Sequence, residues 1–358
     1  MDTGTGATST SLPRSTGPAM DSPTLAGWVG DVEGFTDRQW QRAPALFTAA
    51  APAPPFDLDE LDAAFDSGLL RTPYLEMVRS TKVTVPPEAY TTSRVVNGTP
   101  HHGFADRAKV LALLRGGATL LLRCVDQWHR PTADLVARLS RELDRRVEAF
   151  FFVTPAGGQG LAVHRDDADV FVLQAAGRKT WYVHDAPAVA DWSPGELPDD
   201  ERSARLLHGV LEAGDVLYVP RGSAHRAVGA AGLSAHLSLT VRDISLQDLR
   251  AALEQRLSES LRLPARPLGE AAIAGACAAV LDHARTELGT IGTAELLRAA
   301  RAAQVRPPAA ATPAGTPAGT FAEAARSWQG TDAGPGRAGL ASVGRTWRRL
   351  RSATGGTT

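Results

Sequence analysis

The chain has 358 residues, 43% of them hydrophobic and 22% charged, enough apolar side chain to build a sizeable core and too much for a wholly disordered polymer. Lysine plus arginine (38) nearly balance aspartate plus glutamate (39), so no overall positive field exists to coat nucleic acid, and no direct nucleic-acid binding is expected. Two distant cysteines, Cys124 and Cys277, exclude a disulfide scaffold and a cysteine-based zinc site.

Residues 1–22 are mostly Thr, Ser, Gly and Pro and are expected to be disordered. They lack the basic start and apolar core of a signal peptide, and no apolar run approaches the roughly 18 residues of a membrane span. A cytoplasmic location without membrane contact is therefore expected.

A short helix is expected around Asp31 to Gln41, with Phe35 and Trp40 as anchors. After the Pro-rich break Ala51 to Pro55, Leu58 to Leu70 reads as an acidic amphipathic helix that Asp57 can cap, with Glu60 three residues on. Tyr74 to Val85 and Arg94 to Val96 read as strands, with His101 and His102 in a loop. Asp106 to Leu114 reads as a helix, Ala118 to Cys124 as an apolar strand, and Thr132 to Leu143 as a helix started by Pro131.

From Val147 the texture changes to short β-rich runs separated by glycine and proline: 147–154, 161–164, 168–175, 179–184, 206–210, 216–219, 224–228 and 234–241. The intervening turns hold Gly157-Gly158, Gly177, Gly214-Asp215, Arg221-Gly222 and Gly229. These gaps are too short for parallel crossovers, so the region is mostly antiparallel. After Asp243 the pattern becomes helical over Leu246 to Leu261, Glu270 to Leu288 and Thr293 to Ala303. A Pro/Ala/Gly linker and a basic tail with Arg345, Arg348, Arg349 and Arg351 beside Trp347 follow. The expected division is thus 1–22, 23–245, 246–303 and 304–358.

Within the β region, His164-Arg165-Asp166 sets an imidazole and a carboxylate two positions apart, on one face of a strand. His225, after the turn Pro220-Arg221-Gly222-Ser223, is the best third ligand. Two histidines and one carboxylate occupy one face of an octahedral iron and leave positions open for reactants, the ligand set of oxygen-activating iron(II). His184, His208 and the His101-His102 pair read as structural or solvated. His236 is the competitor to keep, because Ser238 and Thr240 share its face.

These motifs resemble the JmjC family of the cupin superfamily, and most nearly its ribosomal oxygenases. The likeness runs through His164-Arg165-Asp166-Asp167-Ala168-Asp169-Val170-Phe171-Val172-Leu173-Gln174, then Gly177-Arg178-Lys179 and Trp181. It continues with Gly214-Asp215, Leu217-Tyr218, Pro220-Arg221-Gly222, His225 and His236-Leu237. Thr154-Pro155 and Gln159-Gly160 fit as well.

The resemblance implies a mainly β fold with helical additions, a double-stranded β-helix (cupin or JmjC jelly roll) followed by a helical region able to form a homodimer. It implies metal ligation by His164, Asp166 and His225, and iron(II) with 2-oxoglutarate as co-substrate. It further implies a distal carboxylate held by Lys179 with help from Thr240 or Ser238, and hydroxylation of a protein side chain, such as a histidine or arginine of a ribosomal protein. The chain departs from the family at Phe150 and Phe152, where a polar residue and a tyrosine are usual. Residues 304–358 do not resemble the family's C-terminal winged helix. A hydroxylase of small molecules or peptides, and a non-catalytic metal-binding cupin sensor or scaffold, are the alternative readings.

Overall fold

The computed structural model describes residues 23–48, 53–79, 85–189, 191–197, 204–259, 261–263 and 265–305. The expectations for residues 1–22 and for the linker and basic tail beyond 305 lie outside them.

The N-terminal part is a helical shoulder. Helix α1 (Pro23–Val29) leads to α2 (Val32–Arg38), where the Asp31 carboxylate accepts from Gly34 N at 2.8 Å. The helix stops short of the expected Gln41, which lies in the left-handed region (φ 57). Strand β1 (Ala45–Phe47) follows. Helix α3 (Leu58–Asp66) is capped by Asp57, which accepts from Asp59 N and Glu60 N, and ends before Gly68 (φ 69) rather than at Leu70. Strand β2 (Leu75–Val78) is shorter than the run expected. Strands β3 (Thr91–Val96) and β4 (Thr99–Ala105) form a hairpin about Asn97 and Gly98, both at positive φ, so His101 and His102 stand on a strand and not in a loop. Helix α4 (Arg107–Arg115), strand β5 (Thr119–Leu122) and helix α5 (Arg130–Leu143) complete the shoulder.

The β region comprises β6 (Arg146–Thr154), β7 (His164–Arg165), β8 (Asp169–His184), β9 (Gly195–Glu196), β10 (Arg205–Leu211), β11 (Val216–Val219) and β12 (His225–Arg242). The separate strands expected at 168–175 and 179–184 are one strand, β8. Those at 224–228 and 234–241 are likewise one, β12. Gly177 and Gly229 are not turns between strands. They lie where two long strands bend, and the β8–β12 pairing shifts register at Gly229/Ala231 and twice more before His236. Gly177 is required there: its φ is 62, and a Cβ would stand 2.1 Å from the Leu233 carbonyl oxygen.

Each long strand serves two layers. The first half of β8 pairs with β11 and the second half of β12; its second half pairs with β10 and the start of β12. All pairings are antiparallel, and β12 continues through β6 and β5 to β2. Alternate side chains then face different cores. Phe171, Leu173, Ala149, Phe151 and Val153 pack under the helices with Leu25, Phe35 and Leu139. Val170, Val172, Leu217 and Val219 face Trp181, Val183, Leu211 and Ala227 across the space between the layers. This is the double-stranded β-helix expected, and its interior holds the candidate site.

After β12 come α6 (Leu246–Glu259), α7 (Glu270–Thr290) and α8 (Thr293–Val305). Ala252 and Ala300 are buried, and Gln304 donates to the Asp243 carbonyl and the Asp248 carboxylate. Helix α7 buries no residue among those described. No helix among the described residues is long and apolar enough to cross a membrane.

Replacing Gly177 with alanine forces a side chain onto the Leu233 carbonyl and into a left-handed conformation. The expected loss is about 2–4 kcal/mol of stability, read from urea unfolding.

Candidate metal centre and its pocket

Strand β7 carries His164, and Asp166 follows directly after its end. Strand β12 begins at His225, whose backbone partner is His164 itself. That single pairing brings a ligand from each of two segments about 60 residues apart to the same place. The rings stand 4.3 Å apart, and the candidate donor atoms of His164, Asp166 and His225 all lie within 4.8 Å of one another. Asp166 Oδ1 is 3.8 Å from His164 Nε2, and its Oδ2 is 3.6 Å from His225 Nε2.

The remaining ring nitrogens fix the tautomers. His164 Nδ1 lies 2.9 Å from the Ala162 carbonyl oxygen, and His225 Nδ1 3.0 Å from that of Ser223. Each Nδ1–H donates to its carbonyl and leaves the Nε2 lone pair for a cation. Burial, and then the neighbouring His164, hold His225 below the usual histidine range, so it is neutral and able to ligate near neutral pH.

The two ligand-bearing loops are tied together. Gly222 N donates to Asp166 O at 3.0 Å, and the buried Arg165 returns a bond from Nη1 to Gly222 O at 3.1 Å. Arg221 pairs with Asp167. Asp169 accepts from the Tyr218 hydroxyl at 2.5 Å and from Arg221 N at 3.2 Å, while Gln41 N donates to the same hydroxyl at 2.7 Å. Rotamers of the ligands are therefore set by a second layer of bonds and not by the ion alone.

Beside the triad opens a pocket of about 330 Å³ whose lining includes Phe150, Phe152, Lys179, Trp181, His236 and Ser238. Lys179 alternates with Trp181 and Val183 along β8, and all three point inward. Lys179 is 2% exposed, so it is a buried residue of the strand and not a solvated one. Its Nζ donates to Thr154 Oγ1 at 3.0 Å, and no carboxylate pairs with it among the described residues. Burial pushes its pKa down to about 7. A buried cation lacking an anion is costly, and an incoming carboxylate would supply one.

The hydroxyl beside Lys179 is Thr154, not Thr240. Thr240 lies farther along β12, opposite Val170 and Glu148, and does not line the pocket. Ser238 lines the pocket, opposite Phe150 and Val172. Thr154 was visible only as part of Thr154-Pro155. Its alternation with Phe150 and Phe152 signals an inward face, but its meeting with Lys179 depends on strand pairing that spacing does not reveal. His236 lines the pocket too, stacked on Phe152 (4.9 Å, 5°). His208 stacks on Tyr182, and His102 is bonded to Ser93; neither lines the pocket.

The donor set fits iron(II). Two neutral imidazoles and a carboxylate gather on one side of a point, with a cavity on the other, so bound metal would keep open positions. The unpaired Lys179 in the same cavity fits the distal carboxylate of 2-oxoglutarate.

A bound carboxylate would raise the Lys179 pKa from about 7. Above that pH the lysine is mostly neutral before binding and charged after it, so binding takes up a proton and affinity falls as pH rises. Below it the lysine is already charged and uptake vanishes. For protein loaded with manganese(II), calorimetry in buffers of different ionisation enthalpy should show uptake approaching about one proton per 2-oxoglutarate at about pH 8, and little at about pH 6.

Residues 126–249 match the JmjC domain family model. The chain is 32% identical over 209 residues to ribosomal oxygenase 1 of Gallus gallus, covering 54% of this chain and 32% of that protein. It is 44% identical over 96 residues to the bifunctional lysine-specific demethylase and histidyl-hydroxylase NO66 of Drosophila grimshawi, covering 26% of this chain and 13% of that one. The chain thus spans a third or less of the length of these two relatives. The solved structure of Escherichia coli YcfD aligns with 21% identity and a TM-score of 0.48 over 74% of this chain and 68% of that one. Double-layered antiparallel strands, a triad of candidate ligands and these sequence matches together show a region similar to the JmjC domain at residues 126–249, in a chain that is similar to the ribosomal oxygenases.

Proposed function

We propose that this chain is an iron(II)- and 2-oxoglutarate-dependent hydroxylase of a protein side chain, with a histidine or arginine of a ribosomal protein as its target. One observation carries the reading: a triad of two histidines and a carboxylate shares a pocket with a buried lysine that has no acidic partner among the described residues. Relatives described as a ribosomal oxygenase and a histidyl-hydroxylase support the substrate class.

When bound, iron(II) and 2-oxoglutarate supply the oxidation of a carbon–hydrogen bond by dioxygen, with loss of carbon dioxide from the co-substrate. The protein's own work is geometric. His164, Asp166 and His225 hold one side of the metal. Lys179, steadied by Thr154, anchors the far end of the co-substrate. Leu121, Phe150, Phe152, Val170 and Val219 line the pocket with apolar surface, which strengthens charge interactions inside. No side chain is needed as a general base. At the pocket's polar edge Arg123 pairs with Glu76 and Arg242 with Glu148, which suits contact with a peptide.

The partner reading includes a second copy of the chain. Ile273, Val280, Leu281 and Leu288 lie exposed along α7 at helical spacing, an apolar stripe that no other described residue buries. Light scattering should give a dimer mass at working concentration; a monomer mass would remove this part of the reading.

Incubation with ribosomal proteins from the protein's own cell should produce a mass gain of one oxygen atom, dependent on 2-oxoglutarate and seen by mass spectrometry. His164→Ala should abolish both this gain and succinate formation while the melting temperature shows the fold intact. Succinate formation without any modified ribosomal protein would move the substrate elsewhere; full activity in His164→Ala would end the ligand assignment.

A further inference from the structure

Between β8 and β10 the chain makes an excursion whose described parts are residues 185–189 and 191–197. None of these residues is buried, so the excursion adds little to either core. Its bonds go elsewhere. Where the chain leaves β8, His184 N donates to Ala224 O at 2.7 Å, and Ala224 directly precedes His225. At the other end Leu197 N donates to Val163 O at 2.8 Å, and Val163 directly precedes His164. Just before that second tie, β9 pairs antiparallel with β7, with Glu196 opposite His164 and Gly195 opposite Arg165.

The middle of the excursion meets the turn that leads to His225. Trp192 lies against Gly222, where an added Cβ would stand 3.2 Å from the indole Cζ2, and Pro187 meets the same spot with its Cδ at 3.4 Å. Gly222 is the crossing point of the two ligand segments: its N–H donates to Asp166 O, and its carbonyl accepts from Arg165. With φ at 79 and no side chain, it leaves its backbone open to the ring. An apolar ring set against this crossing limits the competition of water for its bonds. Two segments about 60 residues apart must stay together to hold one ion, and whatever freedom they regain counts against binding it.

We infer, resting on the metal-centre reading above, that this excursion is a clasp on the centre and that Trp192 is its positioning residue. Trp192 acts through Gly222 and not on the ion: it keeps the His164 and His225 segments at ligating distance. Retention of the metal is then governed in part by a segment that belongs to neither core.

The full chain is titrated with manganese(II) alone, the free ion being followed by electron paramagnetic resonance, and the melting temperature is measured beside it. Trp192→Ala should weaken manganese binding roughly tenfold, and Trp192→Phe, which keeps a flat ring against Gly222, should recover most of the loss. Val136→Ala, a truncation in the core under the helices, should lower the melting temperature and leave manganese affinity within about twofold of the parent. Should Trp192→Ala fail to fold, Trp192→Leu set against Trp192→Phe makes the same comparison. Manganese affinity within about twofold of the parent in Trp192→Ala or Trp192→Leu, or an equal loss in Val136→Ala, would overturn the clasp alone. Manganese binding that His164→Ala leaves unchanged would overturn it together with the ligand assignment beneath it.

Discussion

The pairing of His225 with His164 across two antiparallel strands is the constraint on which the centre depends. Neither segment alone holds a metal: one offers His164 and Asp166, the other a lone imidazole. Strand pairing converts this into a preformed constellation, and its cost is met by the surroundings. Arg165, Gly222, Asp167, Arg221, Asp169 and Tyr218 lock one loop to the other before any ion arrives. Ligand orientation is thus a property of the folded chain.

The second constraint is electrostatic. A lysine with no acidic partner in an apolar pocket is unfavourable in the folded chain, and burial expresses this as a depressed pKa. Such a residue contributes nothing to stability that a methionine would not match, so its placement makes sense through what it binds. The pocket thus carries a positive charge that no carboxylate among the described residues balances.

Much of this was readable in the residues because local rules govern it. Alternation along Lys179, Trp181 and Val183 gives the inward face without knowledge of the partner strand, and Asp31, Asp57 and Asp106 announce their helix starts. The glycine-separated runs gave strand positions but misjudged continuity. Gly177 and Gly229 look like turn residues in isolation, whereas long-range pairing to both layers holds each strand together through its bend. The hydroxyl that bonds Lys179 was hidden for the same reason. Thr240 and Thr154 are equivalent by composition, and only the lateral order β8, β12, β6 selects Thr154. The His101-His102 hairpin was missed although Asn97-Gly98 is a strong signal for one, because its alternation is masked by polar side chains on both faces.

Strand β12 carries His225 near its start and His236 beyond the bend, while β8 delivers Lys179 and Trp181 from its far half. Two continuous strands therefore supply one candidate metal ligand and the buried lysine of the pocket. Because side chains alternate sides with every residue, slippage by a single position in β12 would expel His225 and His236 at once. Metal capture and acid recognition are consequently inherited as a unit: insertions within this pair of strands would tend to erase both, and variation that tunes one without the other is confined to the loops and to side-chain identity.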